Sequence, residues 1–347
     1  MSLRLLVTIL VLALFCDAAE LPRKSGPVES YPGIEVKLGA IALADGTLLR
    51  TIVTYPAANS GKVPAVFFVG WLSCDSMESP SDSDGFAALM RRVVQRSGML
   101  TFRVDKPGVG DSQGDCARTD FTRELAGYRA AFRALLAEPR VDRERVFLVG
   151  MSNGGGVAPL VAEETPVRAY VSVGGWSRTW LEHMLEHERV RLTLAAKPPG
   201  EVTRQLRGFA TFYDEYLNQR KTPAQVLAGH PEMKAIWYDA PDGQYGRPAA
   251  FYQDLQSLDL AEAWARTPVP VLVIRGEYDW IMSRADASAI ADAVNQTHPK
   301  AATYVELPVD HGLMKRGSMA EGFGRERSSF NEDVAVRVLD FLRTHSR

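Results

Sequence analysis

Residues 145–156, Arg-Val-Phe-Leu-Val-Gly-Met-Ser-Asn-Gly-Gly-Gly, constrain what this chain can fold into more than any other stretch. A short apolar run, Val146–Val149, passes straight into Gly150-Met151-Ser152-Asn153-Gly154, which has the form G-x-S-x-G, and a helix-like segment, Val157–Glu164, follows. A strand that turns into a helix over so few residues leaves the middle residue strained and exposed, and small residues two positions to either side let the backbones approach. Ser152 is therefore expected at the tip of the turn with its hydroxyl free, and the N–H groups of the helix N-terminus point at the same spot. Glycine and serine also make ordinary turns. The nucleophile reading needs a base and a carboxylate in the right places downstream.

The bulk numbers allow a large core. The chain has 347 residues, 46% hydrophobic and 24% charged, which suits one large domain or a domain with an insertion. A net charge of −2 provides no basic field for nucleic acid. At the N-terminus, Arg4 precedes the apolar run Leu5–Phe15 and then Cys16-Asp17-Ala18-Ala19. A basic start, an apolar centre and a small-residue exit predict a secretory signal peptide over residues 1–19, cleaved after Ala18 or Ala19. The run is too short for a stable membrane span, which takes about 20 residues. The expected location is outside the cytoplasm, periplasmic or secreted. The remaining cysteines, Cys74 and Cys116, are expected to be bridged in an exported protein.

From Ile34 onward two periods alternate. Ile34–Leu43 and Thr47–Tyr55 read as strands joined at Asp45-Gly46, a hairpin signal. Val63–Gly70 is a nearly continuous apolar run, the mark of a strand buried on both faces. Gly85–Arg96 reads as a helix and Leu100–Val104 as a strand, and Phe121, Leu125, Tyr128, Phe132 and Leu135 recur at helical spacing. Further strands are expected at Val146–Val149, Val167–Val173, Val271–Ile274 and Thr303–Leu307, with helices at Ala285–Val294 and Asn331–Leu342. Such alternation predicts an α/β fold: a mostly parallel eight-stranded sheet with helices on both faces. The rhythm breaks over residues 176–265, which read as several helices. They are expected to form a helical cap inserted after the sixth strand, with residues 20–175 and 266–347 forming the core.

A serine hydroxyl is a weak nucleophile until a base takes its proton. Of six histidines, His311 stands out: it lies in Pro308-Val309-Asp310-His311-Gly312, just past a strand end. In a parallel sheet such ends gather at one edge, the edge that also carries Ser152. The base needs a carboxylate to hold its tautomer. Gly276-Glu277-Tyr278-Asp279 follows the Val271–Ile274 strand at that edge and offers Asp279, with Glu277 as the alternative.

The order Ser152, Asp279, His311 resembles that of the α/β-hydrolase superfamily. The likeness covers roughly residues 34–345. It includes Asp105-Lys106-Pro107-Gly108-Val109-Gly110-Asp111-Ser112, which is similar to the D-x-x-G-x-G-x-S loop after the fourth strand in that superfamily and is read here as structural. The helical insertion is similar to the cap of its serine aminopeptidase and lipase-like members. What the resemblance implies is a serine hydrolase cleaving a carboxylic ester through an acyl-enzyme, with no cofactor and no metal. It also implies oxyanion donors. One is the backbone N–H of Asn153. The other comes from Gly70-Trp71-Leu72-Ser73, with the Trp71 N–H first and Leu72 as alternative. The chain departs from the family here, with Val69-Gly70 where His-Gly is common. A Cys74–Cys116 bridge would tie this loop down.

Other readings compete. His183-Met184-Leu185-Glu186-His187 matches the zinc-peptidase pattern H-x-x-E-H, although no clear third ligand presents itself, and the expected reading is a polar helix face. Glu182, Glu186 and Glu188 could hold a substrate amine, as an aminopeptidase requires. Trp176, Trp180, Phe209, Phe212, Tyr213 and Tyr216 are expected to build the cap's own core, with some lining an acyl pocket. The expected partner is a small-molecule ester or a short peptide. The alternatives to an esterase are a peptidase or amidase on the same triad, and an inactive binding protein of the same fold.

Overall fold

The computed structural model describes residues 21–347 except 25, 57–60, 163–164 and 325. The signal peptide expected over residues 1–19 lies outside the described residues. The strands are β1 (Ile34–Ala42), β2 (Leu48–Pro56), β3 (Val63–Val69), β4 (Leu100–Val104), β5 (Val141–Met151), β6 (Ala169–Val173), β7 (Gly243–Gln244), β8 (Arg247–Pro248), β9 (Val271–Gly276) and β10 (Ala302–Leu307). The main helices are α1 (Gly85–Arg96), α2 (Phe121–Ala137), α3 (Asn153–Val161), α4 (Trp180–Leu194), α5 (Pro199–Tyr213), α6 (Pro223–Gly229), α7 (Ala249–Gln256), α8 (Leu260–Ala265), α9 (Arg284–Thr297), α10 (Met319–Phe323) and α11 (Glu332–His345).

Eight strands form one sheet in the order β1-β2-β4-β3-β5-β6-β9-β10. β2 runs antiparallel to both neighbours, and all other pairings are parallel. The β1–β2 hairpin turns at Asp45-Gly46, where Gly46 takes φ 82° and the Asp45 carboxylate accepts the Thr47 N–H at 3.0 Å. β3 shows why its sequence is apolar throughout. Ala65, Phe67 and Val69 point into one core with Phe132 of α2, Val157 of α3 and Ile290 of α9. Val66 and Phe68 point into the opposite core with Leu89 and Val93 of α1 and Val338 of α11. A strand covered on both faces has no side to leave polar.

The winding reverses at β3. The chain leaves β3 for β4 on one side, then crosses back through α2 to β5 on the other. Crevices at such reversals, beyond the carboxyl ends of the strands, are where open α/β sheets bind ligands. The segment between β6 and β9 adds no strand to the sheet; its only strands are the two-residue ribbon β7–β8. Its last helices lie against the sheet's own helical layer. α7 packs on α2 through an edge-to-face contact of Phe251 with Phe121, and Trp264 of α8 donates to Gly156 O of α3 at 2.9 Å.

Cys74, in the loop after β3, is joined to Cys116, in the loop after β4, with Cα atoms 6.0 Å apart. Closing a loop with a sequence separation of 42 restricts the unfolded chain by about 4 kcal/mol at most. Peptide mapping without reductant is expected to recover the two cysteines linked, and dithiothreitol is expected to lower the melting temperature. Two free thiols in the native protein, or an unchanged melting temperature, would contradict the bridge.

Candidate functional site

β5 ends at Met151 and α3 begins at Asn153, so a single residue makes the turn. That residue, Ser152, has φ 53° and ψ −122°. For a non-glycine residue such a conformation costs about 1–3 kcal/mol and persists only where its surroundings enforce it. The enforcement is visible. Ser152 N–H donates to Val173 O of β6 at 2.8 Å, and Gly155 N–H donates back to Ser152 O at 2.9 Å. A Cβ on Gly150 would lie 2.2 Å from Gly154 O, and one on Gly154 would lie 2.2 Å from Val69 O, so neither position has room for a side chain. Pro159 inside α3 has no N–H to offer Gly155 O. The Ser172 hydroxyl takes that place, at 2.9 Å.

The downstream residues converge on this turn from the ends of β9 and β10. His311 Nε2 lies 2.9 Å from Ser152 Oγ, and His311 Nδ1 lies 2.8 Å from Asp279 Oδ2. The other oxygen of Asp279 accepts the N–H groups of Ile281 at 2.9 Å and Met282 at 2.8 Å. Arg275 steadies that loop by donating to Asp279 O at 2.8 Å and Met282 O at 3.0 Å. A carboxylate can only accept, so Nδ1 carries the ring proton and the neutral ring offers Nε2 to the serine hydroxyl. Burial alone would pull the His311 pKa down. The Asp279 carboxylate beside it outweighs burial, and the net shift is upward from the ordinary histidine value. Glu277, the alternative carboxylate, is exposed.

The loop after β3 runs beside Ser152. Trp71 stacks on Phe86 with ring centroids 5.7 Å apart, and Phe86 presents its edge to His311 at the same distance. The N–H of Asn153 opens α3, and Asn153 Oδ1 accepts Trp176 Nε1–H at 3.1 Å. Among the described residues neither the Trp71 nor the Asn153 N–H has a hydrogen-bond partner. Two residues without an assigned role in the sequence reading also meet here. Lys106 Nζ donates to Trp71 O and, at 2.6 Å, to Ser73 O. Arg247, from β8, donates to Leu72 O at 3.4 Å. Lys106 sat in plain view inside the D-x-x-G-x-G-x-S segment, two positions past the end of β4. Arg247 had no signal at all.

Ser152 and His311 open into a cleft of about 540 Å³. Trp71, Phe86, Trp180, Met184, Trp280 and Met282 supply much of its apolar wall, and the charged Asp75, Asp84 and Arg191 also line it. Phe209, Phe212, Tyr213 and Tyr216 are fully buried within the helical segment, where Phe212 stacks on Trp237 at 4.3 Å. The H-x-x-E-H residues do not act together. His183 Nδ1 is 3.0 Å from Asp286, and His187 stacks on Trp280 with its pKa pushed down to about 3 by burial and by the charges of His183, Arg191 and His311. Among the described residues no group of three His, Cys, Asp or Glu side chains could hold a metal. The three acids of α4 are all engaged. Glu182 closes a capping box with Thr179, Glu186 pairs with Arg178 at 2.5 Å, and buried Glu188 accepts from Arg191 at 2.8 Å and Tyr238 at 2.6 Å. Among the described residues no helix is long and apolar enough to cross a membrane.

Comparison with known proteins agrees with this architecture. The fold is similar to that of a Pyrococcus furiosus esterase, at a TM-score of 0.55 and 15% identity, over 94% of this chain and 97% of that one. It is also similar to Est1E from Butyrivibrio proteoclasticus, solved with ferulic acid bound, at a TM-score of 0.55 and 17% identity, over 88% and 98% of the two chains. Prolyl oligopeptidase B from Galerina marginata matches at a TM-score of 0.53 and 14% identity, over 90% of this chain but 37% of that one. A search of curated proteins found no match. The model of the alpha/beta hydrolase family matches residues 64–321. That match spans most of the chain, from β3 past His311, and the chain belongs to the alpha/beta hydrolase family.

Proposed function

We propose that this protein is an exported serine hydrolase that cleaves carboxylic esters through an acyl-enzyme. The observation that carries the reading is the continuous hydrogen-bonded row from Asp279 through His311 to Ser152, at 2.8 and 2.9 Å. As His311 Nε2 takes its proton, Ser152 Oγ attacks the ester carbonyl. Asp279 stabilises the imidazolium that results. The carbonyl oxygen, now anionic, is received by the N–H groups of Asn153 and Trp71. Collapse of the tetrahedral intermediate expels the alcohol, which leaves with the proton from His311. Water, activated by the same imidazole, then adds to the acyl-enzyme; its collapse releases the carboxylic acid and returns the proton to Ser152.

The aromatic and thioether walls of the cleft favour an apolar acyl or alcohol group. A peptidase on the same triad is the weaker reading, because Glu182, Glu186 and Glu188 are already paired within the protein and are not left to hold a substrate amine. The basic, apolar and small-residue order of the N-terminus and the joined cysteines support export.

Ser152→Ala is expected to lower kcat on a short p-nitrophenyl ester by about 10⁴-fold or more and to abolish labelling by a fluorophosphonate probe. A folded variant with substantial turnover would remove the nucleophile assignment, and a wild-type protein that resists the probe would point to a binding role. The pH profile has a defined sign. The reaction needs neutral His311, and its pKa is raised above 6.5, so kcat/KM should fall as pH drops, with the half-maximal point above pH 6.5. In Asp279→Asn, burial acts on His311 without the carboxylate. The residual activity, about 10⁴-fold lower, should then show its acid limb at lower pH than the wild type. A flat profile between pH 5 and about 8 in the wild type would count against His311 as the base.

A further inference from the structure

The second oxyanion donor belongs to a loop that lacks the His-Gly pair common at this point, and two buried cations from distant parts of the chain grip that loop from behind. Lys106 is 3% exposed and Arg247 is 2% exposed. Between them they donate to three successive carbonyls: Lys106 Nζ to Trp71 O and Ser73 O, and Arg247 Nη1 to Leu72 O. In a planar peptide group the C=O and N–H point in opposite directions. Carbonyls drawn toward the cations turn away the N–H groups of the same peptides, which are those of Leu72, Ser73 and Cys74. The Val69–Gly70 peptide is held too, because Gly70 N–H donates to the buried Tyr128 hydroxyl at 3.2 Å, so the Gly70–Trp71 peptide, which carries the Trp71 N–H, lies between two fixed peptides.

Each cation is itself fixed. Arg247 donates to the Glu124 carboxylate, to Thr119 O at 3.3 Å and to Cys116 Sγ at 3.1 Å, and its guanidinium lies 4.1 Å from the centre of the Phe251 ring. Lys106 differs: among the described residues no carboxylate pairs with it directly. The charged groups around it are Glu124 of α2, Arg247 of β8, Asp75 of the loop itself and Asp105 at the end of β4. Taking an ammonium out of water without a partner charge is costly, and a plain loop anchor does not need one. Its direct hydrogen-bond partners are two carbonyls of the donor loop, Trp71 O and Ser73 O. Burial pushes its pKa down to about 8, in keeping with that lack of a partner charge.

We propose that Lys106 and Arg247 are positioning residues that aim the Trp71 N–H as the second oxyanion donor by fixing the peptides that follow it in the loop at residues 70–73. The inference rests on the esterase reading of Ser152. Arg247 also belongs to the segment between β6 and β9, so that segment contacts the donor loop directly.

The test uses the purified full chain with p-nitrophenyl acetate and, as a tetrahedral mimic, phenylboronic acid. Lys106→Met is expected to lower kcat by about 10- to 100-fold while KM stays within about twofold, since a donor displaced by about 1 Å costs on that order. Boronic acid affinity should fall with kcat, and Arg247→Lys should recover part of the kcat lost in Arg247→Met. A folded Lys106→Met with unchanged kcat, or a loss confined to KM, overturns the proposal. Should Lys106→Met fail to fold, Arg247→Lys and Arg247→Met are judged by the same two readouts, with unchanged kcat and boronate affinity overturning it. Ser152→Ala separates the two readings. If it is inactive while Lys106→Met behaves as wild type, only the positioning role is lost; if it retains turnover, the esterase mechanism itself is lost.

Discussion

The contact on which the rest of this site depends is between backbones. At Gly154 the first turn of α3 presses against the end of β3, so closely that a single added methyl group would lie 2.2 Å from Val69 O and 2.4 Å from Gly70 O. This approach does two things at once. It forces the one-residue junction that holds Ser152 at φ 53°, and it brings the N-terminus of α3 beside the loop that carries Trp71. Ser152 and the loop that carries Trp71 border one cleft because the backbone of Gly154 touches that of Val69 and Gly70 there. Strain at Ser152 is tolerated because β5 and β6 on one side and α3 on the other leave its backbone no alternative.

Much of this was legible in the sequence, for identifiable reasons. β3, β4, β6 and β9 are covered on both faces, so their runs are mostly apolar, with Thr101 and Arg103 of β4, Ser172 of β6 and Arg275 of β9 as buried polar exceptions, and they stand out against amphipathic helices. Asp279 follows β9, Ser152 follows the apolar end of β5 and His311 follows the edge strand β10, and the geometry of a parallel sheet brings those ends together. Asp279 could be preferred to Glu277 but not separated from it by pattern alone. The structure separates them by burial, since Asp279 is 1% exposed and held by two backbone N–H groups while Glu277 faces solvent.

What the sequence hid are the interactions with no period. Lys106 and Arg247 are 141 positions apart, and the pairing of each with a carbonyl depends only on tertiary placement. The 176–265 segment was opaque for a related reason. Its aromatics serve both its own core and the cleft, and nothing in their spacing tells Trp180, which reaches the cleft, from Phe212, which does not. The end of that segment, α7 and α8, reads as helix like the rest, yet it packs on the helices that flank the sheet.

Three histidines line the same cleft. His183 is taken up by Asp286 at 3.0 Å, and the contrast between His187 and His311 bears on which could serve as the base. His187 and His311 are both largely removed from water, and burial alone pulls both toward the neutral form. His187 stacks on Trp280 with no carboxylate against it and with cations nearby, so its pKa falls to about 3 and it stays uncharged across the working range. His311 has Asp279 at 2.8 Å, and its pKa rises. A general base must accept a proton and hold it until the leaving group needs it, which requires a site where the imidazolium is supported. Only one of the two rings has that support, and it is the one whose second nitrogen faces Ser152. The same low dielectric that silences His187 strengthens the interaction between Asp279 and the imidazolium. Exclusion of water from the cleft thus acts differently on the two rings: His187 is held neutral, while His311, with Asp279 beside it, is suited to the role of base proposed for it.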